Sequence, residues 1–155
     1  MPTRVFSQQL DLVAALPQLL QHARRFFAAE LNVLGSSPPQ RADPLEAFVG
    51  LRWESARYPG QGTFRITSRA RTEDDRFAAE AAEARGRAGG MSDLAARCPA
   101  VWTITLEGEV TGTAELQLSA LLASVALGPV LPEDESTLYG VRGAMERAEK
   151  AALSA

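Results

Sequence analysis

The 155-residue chain has one cysteine, one histidine and one lysine, and each scarcity removes a class of chemistry. A lone Cys98 can neither close an intrachain disulfide nor build a thiolate zinc site. It precedes Pro99, has no CxxC partner, and reads as a structural thiol. A lone His22, beside Arg24 and Arg25, leaves no second imidazole to share a metal, and it reads as a surface residue. Catalytic triads of the usual kinds are thereby nearly excluded. Lys150 is the only lysine, so the positive charge is almost all arginine, which with the abundant alanine fits a GC-rich bacterial coding bias.

Long apolar runs are missing too. The longest, Ala120 to Leu127, is interrupted by Ser124 and falls far short of the roughly 20 residues of a membrane span. Met1-Pro2-Thr3-Arg4 has none of the apolar core of a signal peptide, so the expectation is a cytoplasmic protein. There is no GxGxxG after a strand, no GxxxxGK[ST], no HExxH and no nucleophile elbow. A formal charge of −3 argues against a general nucleic-acid role, which needs a basic footprint.

What is present is a chain of single-domain size, 46% hydrophobic, expected to fold as one domain over residues 1–155. Its clearest local signal lies between Ala47 and Arg69. Val49, Leu51 and Trp53 alternate on one run, and Phe64 and Ile66 on the next, with Tyr58-Pro59-Gly60-Gln61 between them. Proline suits the second position of a tight turn and glycine the third. A four-residue loop there pairs Trp53 with Ile66 and Ser55 with Phe64, and sets Glu54 opposite Arg65.

Around this hairpin, Val5 to Leu12 reads as a strand with Phe6, Leu10 and Leu12 on one side. Pro17 to Leu31 reads as an amphipathic helix, with Leu16, Leu19, Leu20, Ala23, Phe26, Phe27 and Leu31 at three- and four-residue intervals. Leu34 to Pro44 reads as a loop. Thr72-Glu73-Asp74-Asp75 reads as a capped helix start, with Glu83 and Arg87 spaced for an i,i+4 pair. An additional strand within Thr72 to Ala96 is the alternative, and Met91 to Arg97 reads as a short helical turn. A second hairpin is expected, with Trp102, Ile104, Leu106 and Val110 inward on one strand. Ala114, Leu116, Leu118, Ala120 and Leu122 face inward on the other, which sets Glu109 opposite Glu115 with Glu107 nearby. Leu138, Val141, Met145, Ala148 and Ala152 form the stripe of a last helix, with Glu146 and Lys150 as an exposed pair.

The expected architecture is therefore α+β: a curved antiparallel sheet of about five strands against an N-terminal helix and a long C-terminal helix. This order of elements, strand Val5 to Leu12, helix Pro17 to Leu31, sheet, helix Leu138 to Leu153, resembles the helix-grip fold of the START-like (SRPBCC) superfamily. The closing strand Ala114 to Leu122 and the helix after it carry the resemblance most closely. It implies binding of a lipid or other apolar molecule between helix and sheet. It carries over no functional residue, because the superfamily has no diagnostic motif.

Three readings of function follow. The first is a noncatalytic binder of a small apolar ligand lined by Trp53, Phe64, Ile66, Trp102, Ile104, Leu118, Val141 and Met145. The second is a protein-interaction or chaperone-like module that dimerises through a sheet edge or a helix. The third, an enzyme using Glu54, Arg52 and Arg65, is disfavoured because the register turns those side chains to solvent. Arg52, Arg65 and Arg69, with Arg57 and Arg71 near the hairpin ends, could also form an anion site. No cofactor, metal ligand or catalytic residue is assigned.

Overall fold

A computed structural model describes residues 2–154. Its elements are β1 (Thr3–Ser7), α1 (Leu16–Phe27), β2 (Ala29–Ser36), β3 (Ala47–Ser55), β4 (Gly60–Ala70), α2 (Glu73–Gly86) and α3 (Met91–Ala96). They continue with β5 (Ala100–Leu106), β6 (Thr111–Gly112), α4 (Ala114–Ala126), β7 (Val130–Leu131) and α5 (Val141–Ser154). The fold is α+β, with one antiparallel sheet in the order β2-β3-β4-β5-β1-β7, and β6 attached to β4.

One face of the sheet carries the main core: Val5, Leu31, Val49, Leu51, Trp53, Phe64, Ile66, Trp102 and Ile104 pack there with residues of α1 and α4. The opposite face is covered unevenly. Phe6, Val101 and Leu131 meet Ala79, Ala82 and Ala95 of α2 and α3 in a smaller cluster. Among the described residues, no helix covers the outer sides of β2, β3 and the middle of β4. Phe48, Gly50 and Arg52 are half-buried there and Arg65 is exposed.

The first hairpin keeps its expected faces and changes its register. Val49 lies opposite Ile66, Leu51 opposite Phe64 and Trp53 opposite Gly62. The loop is again four residues, but it runs from Ala56 to Pro59. Moving a loop of fixed length by two residues shifts the pairing by four. An even shift leaves every side chain on its own face. Arg65 therefore faces Gly50, and Glu54 lies between Gln61 and Glu30.

The second expected hairpin is absent. Ala114 to Leu122 belongs to α4, in which ten side chains from Ala114 to Ala126 are buried. A segment buried nearly all round shows no periodicity that separates strand from helix. Its alanines and leucines, with no β-branched residue before Val125, are strong helix formers. The opposition of Glu109 and Glu115 disappears with the strand, and Glu115 instead accepts a hydrogen bond from Thr3 Oγ1 at 3.1 Å.

Other boundaries move for local reasons. α1 stops at Phe27 because Ala28 adopts a left-handed conformation, φ 48°, and Leu31 reaches the core from β2 rather than from a helix. The segment read as a loop from Leu34 is still strand as far as Ser36. β1 ends at Ser7, with Val5 and Phe6 on opposite faces and both fully buried, while Leu10 is exposed. α5 begins at Val141, three residues later than expected, and Glu146 pairs with Arg142 at 3.2 Å instead of with Lys150. Glu83 takes Ser92 as its hydrogen-bond partner, while Arg87 is the left-handed C-cap of α2.

The start of α2 is the capping box expected from its sequence. Thr72 Oγ1 accepts from Asp75 N at 3.2 Å, and Asp75 Oδ2 accepts from Thr72 N at 2.8 Å. Asp75 does more than cap. Its Oδ1 takes Arg4 Nη1 from β1 and Arg69 Nη2 from β4, both at 2.9 Å, and Arg4 Nη2 lies 3.3 Å from Glu135. One buried carboxylate thus ties α2 to two strands of the sheet.

Candidate functional site

The eight side chains expected to line an apolar cavity come together, but as core. Trp53, Phe64, Ile66, Trp102 and Leu118 have no exposed surface, Ile104 is 2% exposed, and Val141 and Met145 pack against the same cluster from α5. α4 is the reason. It packs on β1, β3 and β4 on one side and on α5 on the other, so it occupies the layer between sheet and C-terminal helix. Trp53 Nε1 donates to Gln117 Oε1 of α4 at 3.1 Å, and Gln117 Nε2 donates to Thr113 Oγ1 at 2.7 Å.

The single histidine and single cysteine have structural surroundings. Ser124 Oγ gives its proton to Leu121 O at 2.6 Å, so His22 Nδ1, 3.0 Å away, is the donor to Ser124. Partial burial, then Arg25, lowers the His22 pKa. Cys98 is fully buried, its Sγ donates to Leu94 O at 3.3 Å, and burial pushes the thiol up to about 11. A disulfide reagent at about pH 8 is expected to leave the folded protein unmodified and to titrate one thiol after unfolding. Reaction of the native protein within minutes would contradict this placement. Among the described residues, no three His, Cys, Asp or Glu side chains come together as a metal site.

The arginines of the first hairpin lie on the half-open face but do not converge. Arg69 donates to Asp75 with both Nη atoms. Arg52 donates to Gln61 Oε1 at 3.2 Å and Arg71 to Ala96 O at 2.8 Å. Arg57 lies over the Tyr58 ring. Arg65 is the exception: its guanidinium sits 4.3 Å from the centroid of the Phe48 ring, with no carboxylate within ion-pair distance among the described residues. Glu54 is exposed on this face.

Beside that stack lies a trough of about 290 Å³, bordered by Leu34, Phe48, Thr63, Arg65 and Glu107. Its floor includes two glycines, Gly35 of β2 directly opposite Gly50 of β3, and a β-bulge at Leu34 turns that side chain outward, 61% exposed. Neither glycine is required by the fold. Both have ordinary backbone angles; a Cβ at Gly35 would meet nothing within 4 Å, and one at Gly50 only contacts of 3.8 Å. Glycine inside a strand costs about 0.5–1 kcal/mol relative to alanine. It marks a bulge, as Gly35 does beside Leu34, or a place where something approaches the backbone closely, which is the reading left for Gly50.

No protein-family model, curated protein or solved structure matches the chain. The trough thus stands on its own geometry. Sequence reasoning missed it because residues 34–44 read as loop. A signal was present in Phe48 and Gly50, an aromatic side chain and a glycine at outward positions of a strand whose buried positions, Ala47, Val49, Leu51 and Trp53, are all apolar. Among the described residues, no helix is long and apolar enough to cross a membrane.

Proposed function

We propose that the protein is a noncatalytic binder of a small, largely apolar molecule, held on the open half of the sheet rather than between sheet and C-terminal helix. The observation that carries this reading is the trough over Gly35 and Gly50, walled by Leu34 and Phe48 and bare of the side chains the fold would allow there. Its volume sits at the lower end of small-molecule sites, about 300 Å³ and upward. A ligand among Trp53, Trp102 and Leu118 would instead have to lift α4 from the sheet.

A second reading is a module that pairs with a second copy along β2. One observation favours it: β2 is an edge strand with Val33 and Leu34 exposed, whereas the other edge is closed by Tyr139, which exchanges backbone hydrogen bonds with Val130 at 2.7 and 3.0 Å. Native mass spectrometry on protein purified without detergent separates the two. A monomer carrying a releasable mass of metabolite size is the expected result. An apo dimer would transfer the function to β2, and a clean apo monomer that takes up no apolar probe would overturn both.

A further inference from the structure

We infer that the trough selects an anionic ligand, a flat apolar body bearing a carboxylate, with Arg65 as the residue that reads the charge. This rests on the reading of the trough as a ligand site and adds the chemical class. Three arginines point out from β3 and β4 on this face, and two are engaged: Arg69 is held by Asp75 and Arg52 by Gln61. Arg65 is positioned without being neutralised. Its guanidinium lies over the Phe48 ring, which fixes it at the rim of the trough, while its N–H groups have no hydrogen-bond partner among the described residues. A planar guanidinium held by one face leaves its edge for a bidentate carboxylate.

The opposite charge sits on the same side of the trough: Glu107 N donates to Thr63 O at 2.9 Å, which places Glu107 beside Thr63, two residues along β4 from Arg65. Glu107 borders the trough but forms no ion pair with Arg65. A carboxylate on the ligand is therefore drawn to Arg65 and repelled from the Thr63–Glu107 end of the same side. Its apolar body is left to lie over Gly35 and Gly50 against Leu34. A neutral molecule of the same shape gains the apolar contact and nothing from Arg65.

The test is a titration of the 155-residue, nitrogen-15-labelled chain, followed by amide chemical shifts, with naphthalene-2-carboxylate and its neutral amide as probes. The carboxylate is expected to shift the amides of Gly35 and Gly50 and to bind about tenfold tighter than the amide, as a charge-assisted contact requires. Arg65→Gln should bring the carboxylate down to the affinity of the amide. Glu107→Gln should tighten the carboxylate and leave the amide unchanged, an opposite change that loss of structure could not produce. Gly50→Val, which fills the trough, should abolish both with the fold intact. Equal binding of the two probes at Gly35 and Gly50 would overturn the charge selection while leaving the ligand site in place. No shift at those amides with either probe would overturn both.

Discussion

Replacing Asp75 by alanine is expected to destabilise the protein by about 3–5 kcal/mol, the cost of stranding a buried charge by removing its partner. The group left behind is Arg4, whose side chain is only 6% exposed, whose Nε has no hydrogen-bond partner, and whose remaining carboxylate, Glu135 at 3.3 Å from Nη2, forms an ion pair without a hydrogen bond. Asp75→Ala also removes the Asp75 half of the capping box, leaving Thr72 as the N-cap of α2, and the partner of Arg69, so the docking of α2 on the β1–β5–β7 half should loosen first. Asp75→Asn keeps the shape and part of the hydrogen bonding, and should cost less. Chemical denaturation of the three proteins checks the order; a variant Asp75→Ala within 1 kcal/mol of the parent (about the error of a surface substitution) would contradict the role given to this carboxylate.

The same group sets a pH dependence. Burial works against its ionised form, but the hydrogen bonds from Arg69, Thr72 and Arg4 outweigh it and hold the Asp75 carboxyl well below the usual carboxylate range. A depressed pKa means stability that is complete above the unfolded value, near pH 4, and is lost as the pH falls toward the folded one. The parent and Asp75→Asn should therefore differ most at neutral pH and converge in strong acid. A constant difference from pH 7 to pH 2 would show that the charge of Asp75 is not what stabilises this end of the sheet.

The second large effect is expected at Trp53. Truncation to alanine empties the centre of the main core, where the indole is fully buried and edge-on to Phe27 with ring centroids 5.5 Å apart. The loss should be about 3–5 kcal/mol from the cavity alone. A further part comes from Gln117, which is fully buried and would lose the donor to its Oε1. Trp53→Phe with Gln117→Leu separates the terms. The single change to phenylalanine should be more harmful in the presence of Gln117 than in the presence of leucine, because only glutamine is left unsatisfied. Additive effects of the two substitutions would mean that the indole–amide bond contributes nothing of its own.

These two residues show what was legible in the sequence and what was not. Alternation placed Val49, Leu51, Trp53, Phe64 and Ile66 inside, and the structure has them there, because a strand with one buried face writes that face into every second position. The pairing between the strands was not legible. Pro59-Gly60 suits the centre of a turn, yet Pro59 closes the loop and Gly60 already pairs with Gly112 of β6, a contact made 52 residues away. Thr72 announced the start of α2 through its own neighbours, but nothing near Asp75 pointed to Arg4. Ala28 carries no mark of the left-handed turn that ends α1 and begins β2. The interior position of α4 was hidden by its burial, since a helix covered on all sides loses the polar stripe by which a helix is recognised.

The trough was illegible for a different reason. Gly35 and Gly50 occupy separate segments, and only the pairing of β2 with β3 sets one across from the other. Arg65 and Phe48 are likewise joined by register, since Arg65 lies opposite Gly50 and leans along the sheet to the neighbouring ring.

β1 precedes the other strands described, yet its neighbours in the sheet are β5 and β7, so Val5 waits for Trp102 and Val130. A chain leaving the ribosome can assemble the β2–β3–β4 meander from adjacent segments, while Val5 and Phe6 remain uncovered until most of the protein has emerged. Such long-range closure makes folding slow, and it leaves an apolar strand open to mispairing in the interval. It also joins segments 125 residues apart, Val5 and Val130, into one cooperative unit, so that removing either β1 or β7 would open the same seam.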